Sequence, residues 1–291
     1  MLSVRLSEHE VTGALDTPAK LISARSPMTI RKREYMSEDI EESNRKQRNI
    51  AMLIDGDNAQ PSLIREMIRE TEKHGFITIR RIYGDWTATN MHGWKEILHE
   101  NAIQPVQQFR NTIGKNATDS AMIIDAMDIL HAGLVEGFCL VSSDSDYTRL
   151  ATRIREKGTF VMGIGKETTP DAFVNACDLF VFTENIVSAK KVAIHKEPVK
   201  AGNEKPGDAR RKPLVPLLVQ AFEMTVHEDE WVHLANLGES LRKIDPSFDP
   251  RTYGHKQLVQ LVKALPDVFE VKKSEKGPGA IYVRLKDSVR K

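Results

Sequence analysis

Residues Ile50 to Asn58 read IAMLIDGDN, and the fold of the chain turns on them. Five apolar residues in succession, closed by an acid and Gly56, form the pattern of a strand buried on both faces, as at the centre of a parallel sheet. Asp55 then stands at the carboxyl end of that strand, where open α/β sheets place their ligands. Asp57 and Asn58 follow within reach. By composition alone Asp-Gly-Asp-Asn is equally a polar turn, because all three residue types favour turns; the strands that follow bear on the choice.

Working outward, Pro61 suits the first turn of a helix whose apolar stripe is Leu63, Ile64 and Met67 and which Gly75 closes. ITIRRIYGD reads as a strand ending at Asp85. A short helix from about Gly93 to Asn101 leads to IQPVQQF, where Pro105 marks a strand near an edge. From Thr118, apolar residues at Met122, Ile123, Ala126, Met127 and Leu130 recur at helical spacing. Asp119 shares that stripe and is expected to point inward, whereas Asp128 is rotated towards solvent. An acid in a first helical turn is also favoured by the helix dipole without any chemistry. GFCLVSS is a further strand, followed by Asp144, Ser145 and Asp146. The next helix buries Tyr147, Leu150, Ala151 and Ile154 and stops at Gly158. Asp146 is placed to cap it; Asp144 is not. TFVMGIG, TPDAFVNACD and LFVFTEN add a strand, a helix and a last strand. Strands alternating with helices throughout predict an α/β fold with a doubly wound, mostly parallel sheet over residues 48–186.

Residues 1–47 show mixed charge and no sustained period, which predicts a disordered arm, with Met36 as the natural start. Residues 187–212 are rich in Lys, Pro and Gly and are expected to form a basic flexible linker. Beyond it, VPLLVQAF, then Leu237, Leu241 and Ile244, then Leu258, Leu261, Val262 and Leu265 mark three helices. VFEVKK and AIYVRL, separated by SEKGPG, read as two strands of a hairpin. Three helices and a terminal hairpin predict a small winged-helix domain over residues 213–287, a shape that serves nucleic-acid binding or protein docking.

Charge is uneven along the chain: residues 49–185 carry six more acidic than basic side chains, and residues 186–212 five more basic than acidic. An acidic pocket that meets a polyanion needs a cation between them, and a basic neighbour supplies longer-range attraction. Cys139 and Cys177 lie in apolar runs without metal-ligand spacing, so they read as buried free thiols of a cytoplasmic protein. No apolar run approaches the roughly 18 residues of a membrane span, and none near the N-terminus resembles a signal core.

Asp55 with Asn58, Asp85, Asp119, and Asp144 with Asp146 all lie at strand or helix ends that the fold directs to one sheet edge. Carboxylates gathered there repel one another unless cations intervene, and oxygen-only ligands select Mg²⁺ or Mn²⁺ over zinc. Two such ions about 4 Å apart can hold a phosphodiester, acidify an attacking water and stabilise the leaving oxygen. Lys115 and Asn116, just before Asp119, could contact the scissile phosphate, although an ordinary surface loop explains them equally. Trp86 and Trp94 could stack on bases; packing between helices is the commoner use of such residues.

LIDGDN at 53–58, GKNATD at 114–119 and VSSDSDY at 141–147 resemble the NYN family of PIN-like ribonucleases, in its LabA-like branch, over about residues 48–186. The resemblance implies Mg²⁺- or Mn²⁺-dependent endonucleolytic cleavage of RNA. It implies a metal set of Asp55, Asp119 and Asp144, with Asn58 and Asp146 nearby; Asp85 matches less well. The candidate catalytic acids are then Asp55, Asp119, Asp144 and Asp146, and the candidate substrate contacts Asn58, Lys115, Asn116 and Ser143. Residues 213–287 resemble the OST-HTH or LOTUS domain, which in relatives binds RNA or a protein partner. A homodimer is left open.

Other readings fit less well. A haloacid dehalogenase phosphatase shares Asp55-x-Asp57 but wants Thr or Val where Ala59 stands, and a cap insertion that Pro61 leaves no room for. A response-regulator receiver needs a phosphoacceptor where Phe109 and Arg110 stand. The rival of another class is a binding protein that holds RNA or a partner without cutting it.

Overall fold

The computed structural model describes residues 48–109, 117–187, 213–226, 230–274 and 280–289. The arm with its expected start, the basic linker beyond Val187, and Lys115 with Asn116 lie outside the described residues. The first body runs β1 (Asn49–Asp55), α1 (Ile64–Glu72), β2 (Phe76–Gly84), α2 (Lys95–Glu100), β3 (Gln104–Gln107), α3 (Ala117–Ala132), β4 (Gly137–Val141), α4 (Thr148–Glu156), β5 (Phe160–Gly165), α5 (Asp171–Ala176) and β6 (Leu179–Phe182). Its sheet has the order β3-β2-β1-β4-β5-β6, and every pairing is parallel.

Side chains of β1 alternate between two cores, as the pleat requires. Ile50, Met52 and Ile54 pack with Ile64, Met67 and Ile68 of α1 and with Trp94. Ala51 and Leu53 face the other way, onto Met122 and Ala126 of α3 and onto helices α4 and α5. A strand covered on both sides can be apolar throughout, which is why IAMLI carries no polar residue. Strand order reverses between β1 and β4, and such a reversal opens a crevice at the carboxyl ends of those two strands. Pro105 does sit in the edge strand β3. The strand read as LFVFTEN stops at Phe182, because residues 183–187 turn helical. The expected helix from Gly93 is a 3₁₀ segment, Thr89–Trp94, running into α2. Among the described residues no helix is long and apolar enough to cross a membrane.

The C-terminal body comprises α6 (Leu214–Glu223), β7 (Val232–His233), α7 (Leu234–Ile244), α8 (Leu258–Lys263), β8 (Phe269–Lys273) and β9 (Ile281–Leu285). Leu218, Phe222, Leu237, Leu241, Val262 and Val283 form its core. The hairpin gains a third strand that periodicity could not reveal: two-residue β7 pairs antiparallel with β9, giving the order β7-β9-β8. The loop between α7 and α8 meets the first body. Phe180 N–H in edge strand β6 donates to Pro246 O (2.8 Å), and Asn185 Nδ2 donates to Thr252 Oγ1 (2.9 Å). Arg251 is clasped by Asp249 and reaches Glu70 at the end of α1, 3.1 Å away.

Candidate metal centre

Asp55 ends β1 and is only 1% exposed. Its Oδ1 accepts from Asp57 N–H (3.1 Å), while Oδ2 accepts from Asn58 Nδ2 (2.6 Å) and Ser142 Oγ (2.9 Å). Burial pushes its carboxyl above the usual range; Asn58 and Ser142 oppose this and the charge of Asp119 adds to it. The DGDN segment is thus both a turn and a site wall. Asp55 O accepts from Asn58 N–H and Ala59 N–H, closing the turn, and Gly56 N–H bonds Tyr83 O at the end of β2. A Cβ at Gly56 would stand 2.7 Å from Tyr83 O and 2.6 Å from Met91 Cε, so only glycine allows this approach.

Across the crevice, Ile54 pairs with Val141, so the next residue of the second chain segment, Ser142, reaches Asp55. The Ser142 hydroxyl also accepts from Asp144 N–H (3.1 Å), which links the first acid to the third through one side chain. Ser143 Oγ accepts from Lys166 N–H (2.9 Å), tying the end of β4 to that of β5. Asp144, and not Asp146 as the sequence suggested, is the N-cap of the 3₁₀ turn Ser145–Tyr147: its Oδ1 accepts from Asp146 N–H at 2.9 Å. A cap stands one position before the first helical residue, and that turn begins earlier than apolar spacing indicated.

Asp119 lies in the first turn of α3 and is partly buried, as its place on the apolar stripe predicted. The fully buried Tyr147 donates its hydroxyl to Asp119 Oδ1 at 2.7 Å. Burial raises the Asp119 pKa; the tyrosine opposes this, and the charges of Asp144, Asp146 and Asp57 add to it. One carboxylate oxygen each from Asp119, Asp144 and Asp146 lies within 4.8 Å of the others. Asp55 stands outside that trio, close enough for the Asp119 charge to raise its own pKa. Three carboxylates so near one another form an all-oxygen donor set that suits a hard divalent cation, and such an ion would relieve the repulsion seen at Asp119.

The remaining sequence candidates fall elsewhere. Asp85 staples its own turn, accepting from Thr87 N–H, Thr87 Oγ1 and Gln107 Nε2. Trp94 is wholly buried in the core and unavailable to a base, whereas Trp86 is partly exposed and donates Nε1–H to Val106 O. Asp57 escaped a role in the sequence reading; it accepts from Asn90 Nδ2 (3.0 Å) and Thr118 Oγ1 (3.4 Å), joining the first turn to the start of α3. From the sequence alone, Ser142 shows only as a strand end and Tyr147 only as a packing residue. Parallel register is the signal for Ser142; for Tyr147 no local pattern distinguishes a buried phenol from a buried ring.

The sequence matches the NYN domain over residues 49–186 and the OST-HTH/LOTUS domain over residues 208–281. No curated protein matches it. Among solved structures it is similar to a protein of unknown function from Vibrio parahaemolyticus, with 18% identity, covering 46% of this chain and 91% of that one at a TM-score of 0.39. It is also similar to an uncharacterized protein from Nitrosomonas europaea, with 30% identity over 30% of this chain and 92% of that one, TM-score 0.23. A fragment of a Chromobacterium violaceum protein matches with 36% identity over 27% of this chain and 86% of that one, TM-score 0.23.

Proposed function

We propose that this chain, which carries an NYN domain over residues 49–186 and an OST-HTH/LOTUS domain over residues 208–281, is a metal-dependent ribonuclease that cuts within RNA strands. The winged helix, taken as residues 213–287, would choose the RNA target. The observation that carries this reading is the meeting of Asp119, Asp144 and Asp146 in the crevice where the strand order reverses.

The proposed ligands for Mg²⁺ or Mn²⁺ are Asp119 and Asp144, joined by Asp146 at the rim and by Asp55 at the base of the site. Such an ion supplies a more acidic attacking water and charge stabilisation for the leaving oxygen. The chain's own part is to hold the acids. Tyr147 fixes one oxygen of Asp119 and the Asp146 N–H fixes one oxygen of Asp144, which leaves the second oxygen of each for a ligand. Asn58 and Ser142 hold Asp55 in place. Asn58, Ser143, Lys115 and Asn116 are the proposed contacts to the RNA backbone.

Labelled single-stranded RNA incubated with Mn²⁺ and purified protein tests this. Asp119→Asn and Asp144→Asn should each lower cleavage by at least about a hundredfold, the scale on which one electrostatic stabiliser counts. Cleavage as strong in both variants as in the parent protein would belong to a contaminant. RNA bound but never cut by the parent protein would make the chain an RNA-binding adaptor.

A further inference from the structure

The outward face of the C-terminal sheet carries an arrangement that the metal centre leaves unused. Register sets His233 of β7, Tyr282 of β9 and Lys272 of β8 side by side, and sets Arg284 opposite Glu270 in the next row. Val232, Val283 and Leu285, alternating with these residues, are buried in the module's core. His233, Tyr282, Arg284 and Glu270 are partly exposed and Lys272 is exposed, so this row faces away from the core. The His233 and Tyr282 rings meet edge to face with centroids 5.3 Å apart. The Arg284 guanidinium lies over the partly exposed Trp231 ring, 5.1 Å from its centroid, and is held by Glu270 (2.8 Å) and Glu230 (3.5 Å). His233 Nδ1 accepts from Ala235 N–H as the cap of α7, which fixes the imidazole plane.

The sheet needs only its other face for the core, and aromatic pairs do stabilise neighbouring strands. Pairing alone accounts for His233 and Tyr282. It leaves unexplained a third ring, Trp231, with a guanidinium over its face, and an amine at the end of the row. Aromatic and guanidinium planes offered together with exposed cations match the π-faces and phosphates of unpaired nucleotides. Arg284 engages both carboxylates of the strip, which lessens their repulsion of a polyanion. We propose that Trp231, His233 and Tyr282, flanked by Lys272 and Arg284, form a stacking platform for the bases of single-stranded RNA. This rests on reading the chain as one that acts on RNA, and it assigns the contact to the sheet face of the module.

Fluorescence anisotropy of a labelled ten-nucleotide single-stranded RNA in EDTA, with the full chain, reads the platform without cleavage. Tyr282→Leu, which keeps an apolar strand residue, should weaken binding about tenfold, the loss of one stacked base. Lys272→Glu should weaken it and flatten its salt dependence. Both variants should melt within a few degrees of the parent protein, and both should bind a duplex of the same sequence as the parent does. Unchanged single-strand affinity in Tyr282→Leu overturns the platform, as does a parent protein that binds only duplex, or only a protein partner. Mn²⁺-dependent cleavage is read separately in the parent protein: its absence would sink the nuclease reading while leaving the anisotropy result to stand by itself.

Discussion

Asp119 depends on a residue from outside its own helix. The Tyr147 hydroxyl holds one of its oxygens from the start of the segment that leads into α4, while the tyrosine ring packs against Phe173 with centroids 6.3 Å apart. Tyr147→Phe keeps the packing and removes the donor. Partners that orient a metal ligand typically contribute ten- to hundredfold to affinity, so Mn²⁺ should bind this variant about tenfold more weakly by calorimetric titration, with the fold intact by circular dichroism. An unchanged affinity would mean that Asp119 finds its orientation without the phenol. The sequence displayed Asp119 as an acid on an apolar stripe, but Tyr147 looked like any helix-packing ring. What separates a donor from a filler is the position of its oxygen, which depends on how α3 and α4 pack.

At the scale of elements, Asp144 has two tasks that substitutions can part. As N-cap of the turn before α4 it accepts a backbone hydrogen bond, and as a carboxylate it faces Asp119 and Asp146. Asparagine caps about as well as aspartate, whereas alanine does not. Asp144→Ala should therefore lower unfolding free energy by about 1 kcal/mol in urea titrations, Asp144→Asn by much less, with cleavage lost in both. Equal destabilisation by the two would show that the cap does not support the helix. Elements were legible because burial on both faces leaves a strand uniformly apolar and burial on one face leaves a helix striped. Two-residue β7 was not, since a pair of residues has no period.

Taken whole, the molecule joins its two bodies through the loop between α7 and α8. Arg251 is mostly buried between Asp249 and Glu70, and each contact is a hydrogen bond to a charged group. Arg251→Ala should cost about 1.5–3 kcal/mol. It should also speed hydrogen exchange at the Phe180 amide, whose bond to Pro246 O crosses the same contact. Protection of Phe180 equal to that of the parent protein would mean that the loop stays docked without the arginine. Nothing in the periodicity pointed to Arg251, because the partner it meets lies 181 residues earlier in the chain.

The alternation of strands and helices, the all-round burial of β1 and the acids at the ends of several elements are legible in the chain alone. These follow from local periodicity, which each segment displays without reference to the others. Packing between distant segments set which acids meet: Asn58 and Ser142 hold Asp55 outside the trio that Asp146 joins, and the loop before α8 docks on β6. Those outcomes depend on strand order, register and helix packing, and free energies of that kind arise between segments far apart in the chain.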